Sequence, residues 1–376
     1  MKKGFWTNPV VSFIKRNSVA VIAFVAAVVT VFIVPPDAEY AHYIDFKTLS
    51  CLFAVLAVVS ALKGVRFFFW LSYKVILLCK NMRLSALALV YITFIGSMLI
   101  ANDMALITFL PLGFMVLSVT HKEKYMARLF ILQNIAANLG GMLTPFGNPQ
   151  NLYLYSRFNI PDGQFLAIMA PSFLLSIVLF SAACILFFKP EELTIPKEEF
   201  RIPMKRTIFY LVLFAVAIIM VFRILPFYVG LAIVFAALLF TDREALKRVD
   251  YPLLLTFVFF FIFAGNMARI EPVRAALSGL LQKNTLLFST LSCQFISNVP
   301  SAILLSQFTE NYPALLVGVN IGGTGTLIAS LASLITFREY TRLNRGKGGK
   351  YVLLFSAFNF SFLLILLLFN LFLVKP

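Results

Sequence analysis

Apolar runs long enough to cross a bilayer recur along the whole chain, and that repetition decides which solvent the fold is built for. A spanning helix needs about 20 mostly apolar residues. Runs near that length occupy Ser18–Val34, Phe46–Leu62, Gly163–Phe188, Arg206–Phe222, Pro226–Phe240, Tyr251–Met267 and Tyr351–Val374. Only 13% of the 376 residues are charged, against about 25% in a soluble domain. The pattern predicts an all-α polytopic membrane protein whose surroundings are the lipid bilayer. Met1-Lys2-Lys3 looks like the basic start of a signal peptide. No small-residue cleavage site follows Ser18–Val34, and Pro35-Pro36 ends the run, so it reads as a retained first helix.

The net charge of +16 suggests a nucleic-acid partner until its placement is considered. Segments 1–17, 63–83, 121–128, 189–206, 241–250 and 337–350 hold 25 of the 32 Lys and Arg residues. This is the positive-inside pattern, and it predicts no nucleic-acid partner. It puts the N-terminus in the cytoplasm, loop 35–45 and the C-terminus outside, and the chain in a plasma (inner) membrane. Cys51, Cys79, Cys184 and Cys293 have no metal-ligand spacing, and His42 and His121 are far apart. The cysteines read as small buried hydrophobes.

That orientation requires two apolar segments to enter and leave on one side. Residues 84–119 have basic, cytoplasmic flanks and must turn back at Ala101-Asn102-Asp103-Met104. Residues 284–310 lie between Lys283 and Glu310, both outside, and must turn at Ser297-Asn298-Val299-Pro300. Two hairpins of opposite sense predict two inverted repeats, with about nine spanning helices in all. Short matches agree: Ile100-Ala101-Asn102-Asp103 with Ile296-Ser297-Asn298-Val299, and Asn138-Leu139-Gly140-Gly141 with Asn320-Ile321-Gly322-Gly323, Thr144 and Thr326 in register. The first repeat spans 1–188, with hairpin 84–119 and an interrupted helix at 126–157. Residues 189–222 form a linker and connecting span, and 223–376 the second repeat, with hairpin 284–310 and an interrupted helix at 312–336. Amphipathic surface stretches are expected near Gly64–Lys80 and Met267–Gln282.

The interrupted helices carry the first candidate ligands. Thr144-Pro145-Phe146-Gly147-Asn148-Pro149-Gln150-Asn151 contains residues that break helices, and Gly323, Thr324 and Thr326 offer similar freedom in the second half. Broken helices expose carbonyls to cations and helix N-termini to anions; the plainer alternative is a proline kink. Asn102, Ser297 and Asn298 at the hairpin tips are either helix caps or hard-oxygen ligands. Asp103 is the single carboxylate predicted at membrane depth, and such a residue is a functional candidate by default; its plainer reading is a protonated or capping Asp. With no cofactor implied, Na+ or H+ is the expected coupling ion, a Na+ site being conceivable at Asn102, Asp103, Asn148, Ser297 and Asn298.

In these residues the chain resembles the ion transporter superfamily, which holds divalent-anion/sodium symporters, citrate transporters and arsenite/antimonite permeases. In the symporters, two Ser-Asn-Thr tips bind sodium and substrate carboxylate. Here the tips read Ala101-Asn102-Asp103 and Ser297-Asn298-Val299, so only the asparagines and one serine match. The Asn-Asp pair and the run from Thr144 to Leu152 are similar to the arsenite-permease and citrate-transporter-like branch. The resemblance implies a secondary transporter for a small anion (a di- or tricarboxylate or an inorganic oxyanion), coupled to Na+ or H+. It also implies an elevator motion and a homodimer.

The alternative is a cation/proton antiporter exchanging at Asp103. An enzyme is not expected: aspartyl proteolysis needs two carboxylates sharing a site, and the membrane segments supply one.

Overall fold

The computed structural model describes residues 17–195 and 200–373. The basic residues expected in the cytoplasm at 1–16, Lys197, and Lys375 on the opposite side lie outside the described residues. The described chain is helical almost throughout. Its first half runs through α1 (Ser18–Ile33), the short α2 (Tyr40–Tyr43), α3 (Phe46–Gly64), α4 (Phe67–Ile76), α5 (Met82–Ile100), α6 (Asn102–Val119), α7 (Met126–Gly140), α8 (Pro149–Arg157) and α9 (Asp162–Phe187). After α10 (Met204–Val221) come α11 (Phe227–Thr241), the short α12 (Arg243–Lys247), α13 (Tyr251–Arg269), α14 (Glu271–Ile296), α15 (Asn298–Leu305), α16 (Tyr312–Ile321), α17 (Leu331–Leu343) and α18 (Gly348–Leu373).

Local chemistry sets these boundaries. Asp45, Asn81, Asp250 and Asn311 stand just before helices and accept a backbone N–H from the first turn at 2.9 to 3.3 Å, satisfying donors a helix start leaves free. Proline opens α8, α13, α14 and α16, where its missing N–H costs nothing. Among the described residues seven helices are long and apolar enough to cross a membrane. Five are expected spans, α3, α9, α10, α13 and α18; the other two are α5 and α6, the expected hairpin arms. The first run and Pro226–Phe240 form the shorter apolar helices α1 and α11.

The turn between α5 and α6 is sharper than the four residues expected. Ala101 alone breaks the helix, with φ 61° and ψ 153°, and Asn102 is already helical and buried. Ser297 does the same between α14 and α15, with φ 74° and ψ 159°. The amphipathic stretch before the second hairpin is continuous with its first arm in α14, broken only at Asn284, whose side chain caps the arm by accepting from Leu287 N at 2.9 Å. The segment after α9 folds back on the start of α5: Met82 N donates to Glu191 O at 2.7 Å and Arg83 Nε to Phe188 O at 2.9 Å. Hydrogen bonds from Lys122, Lys124 and Tyr125 hold the Glu191 carboxyl down at about 2.

A non-glycine residue at φ 61° and ψ 153° costs roughly 1–3 kcal/mol. Ala101→Gly is therefore expected to raise the melting temperature in detergent, and Ala101→Val, with a branched Cβ in the same conformation, to lower it. A Val variant that melts with the wild type would remove the strain at this turn.

Candidate functional site

The helix breaks share part of their hydrogen-bond pattern. Thr144 Oγ1 donates to Met98 O at 2.7 Å, and Thr326 Oγ1 to Gln294 O at 3.0 Å. Each acceptor stands three residues before the turn residue, Ala101 or Ser297. Six residues before each threonine lies an asparagine, Asn138 or Asn320, and four residues after it the residue preceding the next helix, Asn148 or Ser330.

These last two pairs bind each other across the halves. Asn148 Nδ2 donates to Asn320 Oδ1 at 3.4 Å, and Ser330 Oγ donates to Asn138 Oδ1 at 2.8 Å. Reciprocal contacts of this kind are what a two-fold relation between units generates. Asn102 joins the network by donating to Asn138 Oδ1 at 3.0 Å, and Asn320 extends it by donating to Asn151 Oδ1 at 2.6 Å.

Both tips and both second half-helices border one cavity of about 50 Å3. Asn102 and Asp103 come from α6, Ser297 and Asn298 from the second tip, Pro149 from the start of α8, and Ser330 and Leu331 from the start of α17. Four helix N-termini therefore meet there, each carrying partial positive charge. The opposite wall is apolar, with Val19 of α1 and Leu253 and Phe260 of α13. Thr256, the hydroxyl on that wall, also borders a recess of about 90 Å3 that continues along Leu253 and Leu331 to Asp250 and Arg338. Several buried polar atoms beside the cavity have no partner among the described residues: Asp103 Oδ1, Asn138 Nδ2, Asn148 Oδ1 and both side-chain atoms of Gln150. Such atoms are uncommon in native proteins and mark places where a ligand or water completes the set.

The sequence-derived candidates separate into two groups. Asn102, Asp103, Ser297 and Asn298 border the cavity, and Asn148 stands just behind it. The tip asparagines are not ordinary caps: each is the first helical residue, and its Oδ1 accepts from the very next N–H, Asp103 N at 2.9 Å and Val299 N at 3.0 Å. Gly323 is packed close, since a Cβ there would come within 3.0 Å of Asn298 Nδ2. Thr144, Pro145, Gly147, Asn151, Thr324 and Thr326 do not border the cavity. Asn151 Nδ2 lies within 3.0 to 3.3 Å of the Gly141, Met142 and Thr144 carbonyls, and a Cβ on Gly147 would strike Gly141 O at 2.4 Å. Thr324 Oγ1 donates to Ile321 O at 2.6 Å.

Four participants were absent from the candidates: Asn138 and Asn320, which the sequence had matched to each other without a role, and Ser330 and Gln294. Ser330 would have followed from carrying the Thr144–Thr326 register four residues further. Gln294 clamps the second break, its Nε2 reaching Gly322 O at 2.9 Å and Thr324 O at 3.1 Å while Oε1 accepts from Thr326 N at 2.9 Å; nothing in the sequence distinguishes it from any other polar residue in an apolar helix.

An all-α, multi-pass chain whose interrupted helices meet at one small cavity has the build of a membrane transporter. Residues 6–314 match the citrate transporter family, and the chain belongs to that family. It is 33% identical to a protein of Methanocaldococcus jannaschii named an uncharacterized transporter, an alignment covering 80% of this chain and 82% of the relative. It is also 28% identical to the inner membrane protein YbiR of Escherichia coli, over 78% of this chain and 80% of that one. The protein is thus an integral multi-pass membrane transporter rather than an enzyme.

The two clamps generate a structural prediction. Replacing Asn151 or Gln294 by Leu leaves buried carbonyls without donors, at about 1–3 kcal/mol for each orphaned group. Both variants should melt well below the wild type and give less folded protein. Melting curves that coincide with the wild type would show that the breaks do not depend on these amides.

Proposed function

We propose that the protein is a secondary active transporter that carries a small anion, a di- or tricarboxylate or an inorganic oxyanion, coupled to Na+ or H+. The observation that carries this reading is the meeting of four helix N-termini at one cavity that, among the described residues, no basic residue borders. Helix N-termini favour anions through their aligned dipoles; the Asp103 and Val299 N–H groups are taken by the tip asparagines, so the dipoles supply the attraction. Asp103, Asn148 Oδ1 and the tip hydroxyl of Ser297 supply hard oxygens for a cation. Asp103 carries the coupling ion: an ionised carboxylate is costly at this depth, and a proton or Na+ offsets it as the anion binds.

The two halves are inverted repeats, with the first hairpin entering from the cytoplasm and the second from outside, in the plasma membrane. A cavity of about 50 Å3 suits a small ion or a few waters. A tricarboxylate requires the tips to draw away from α1 and α13. The apolar Val19, Leu253 and Phe260 wall offers a surface along which both tips can slide as an elevator, with the protein a homodimer.

Proteoliposome uptake of carboxylates and oxyanions under imposed Na+ or H+ gradients tests the reading. Asn102→Ala and Asn298→Ala are expected to abolish uptake with melting temperatures near the wild type. Asp103→Asn keeps the shape and should end the dependence on the ion gradient, or end transport. If Asp103→Asn retains an unchanged ion dependence, the carboxylate is not the coupling group; if no anion accumulates while Na+ exchanges for H+ through Asp103, the protein is a cation/proton antiporter.

Topology is tested separately by single-cysteine labelling. Positions in 63–83 and 337–350 should react from the cytoplasmic side, and positions in 35–45 and 268–283 from outside. Reagent access to 101–104 from the outer aqueous phase, as in an ordinary loop between two spans, would overturn the inverted-repeat arrangement.

A further inference from the structure

On the face that the charge bias assigns to the exterior, a polar recess of about 450 Å3 opens between α8 and the segment leading into α3. We propose that this recess is a docking site for small carboxylates or oxyanions, distinct from the tip cavity and occupied before an anion reaches it. The inference rests on the anion-carrier reading for its role, but its charge can be tested without transport.

Lys47 from α3 and Arg157 from α8 border the recess from different elements, and His42 adds a further nitrogen. Neither Lys47 nor Arg157 belongs to an ion pair among the described residues. The carboxylate in the same walls, Asp45, is engaged as a helix cap, accepting from Thr48 N at 2.9 Å and Thr48 Oγ1 at 2.5 Å. Arg269 shows how this face treats a cation that needs no ligand. It is paired with Asp37 at 2.6 and 3.0 Å and donates to Tyr43 Oη at 3.1 Å. Lys47 and Arg157 outnumber Asp45 in the walls and leave the recess with a net positive charge around a polar space, which concentrates anions.

The floor separates the recess from the tips. Tyr153 is buried, its ring 5.5 Å from that of Phe261, and its hydroxyl is shared with Ser306 Oγ at 2.8 Å and accepts from Gln307 Nε2 at 3.3 Å. Pro149 at one end of α8 borders the tip cavity, and Ser156 and Arg157 at the other end border the recess. At about 1.5 Å per residue, an anion held at the recess stands roughly 12 Å from the tips. The Tyr153–Phe261 pair lies between.

The test places a cysteine in the recess by Ser156→Cys and another at Gly163, where nothing lies within 4 Å of a new Cβ. Labelling rates are measured with negatively and positively charged methanethiosulfonates of similar size, against the unsubstituted chain as background. The negative reagent should be favoured several-fold more at 156 than at 163. That preference should fall to the level at 163 in K47Q/R157Q and survive in K47R/R157K. Citrate and sulfate, each added alone, should slow labelling at 156, whereas glycerol should not. Equal charge preference at the two positions, or labelling indifferent to citrate and sulfate, overturns the proposal. In proteoliposomes, K47Q/R157Q should raise the KM for anion presented from the recess side several-fold with the maximal rate kept; an unchanged KM also overturns it. A wild type that carries no anion at all defeats the carrier reading instead, and the labelling ratio and anion protection still decide the recess.

Discussion

Irregular backbone buried at membrane depth has no water to satisfy it, so its carbonyls and amides must find donors and acceptors within the protein. Here two side-chain amides meet part of that demand, one at each break. Asn151 gathers the carbonyls of Gly141, Met142 and Thr144 on one side. Gln294 binds Gly322, Thr324 and Thr326 on the other. They do so from different places, Asn151 from the half-helix after its break and Gln294 from the neighbouring hairpin arm. The same demand is thus met by two different solutions in two halves that otherwise correspond. Once the breaks are held open in this way, the starts of α8 and α17 are fixed beside the hairpin tips, and the cavity follows from that geometry.

The reciprocal bonds Asn148–Asn320 and Ser330–Asn138 then make the two breaks a single unit. With Asn102 also bonded to Asn138 and Asn298 N donating to Ala329 O at 3.0 Å, each tip is tied to a break by polar contacts. The wall facing this cluster from α1 and α13 is largely apolar at the cavity. Polar bonds are directional and are lost by a displacement of an ångström or so, whereas apolar contacts are non-directional. Any relative motion at the cavity is therefore easier between the cluster and α1–α13 than within the cluster.

The elements most legible in the sequence are those with a strong one-dimensional signal. Apolar length set the spans within a few residues, and charge bias located the turn at Ala101 because α5 and α6 both have basic outer ends. By length and composition alone those two helices are indistinguishable from spans, so reading them as hairpin arms rests on the charges of the loops and not on hydropathy. Of the residues that border the cavity, those legible in the sequence were a chemical type out of place: Asp103, and the asparagines Asn102 and Asn298 inside apolar runs. Thr144 and Thr326 were correctly paired with each other, yet their hydroxyls are consumed by carbonyls of the hairpin arms. A hydroxyl that satisfies backbone and one that awaits a ligand look the same in sequence, because the difference lies in a partner close in space but distant along the chain. Gln294 was invisible for the same reason.

The electrostatic balance of the cavity bears on why an acidic residue occupies a site proposed for anions. A helix N-terminus acts as roughly half a positive charge, so four of them approach about two charges where they meet. Ionised Asp103 offsets about one of these, and the remainder favours a monoanion without help. An anion of higher charge would leave the cavity negative in surroundings that solvate it poorly. A proton or a cation at Asp103, whose Oδ1 is unpartnered, restores the balance. On this reading the carboxylate does not oppose anion binding so much as make it conditional on a cation. A neutral residue at the same position would allow a dicarboxylate to bind alone, and transport of it would then run without the ion gradient.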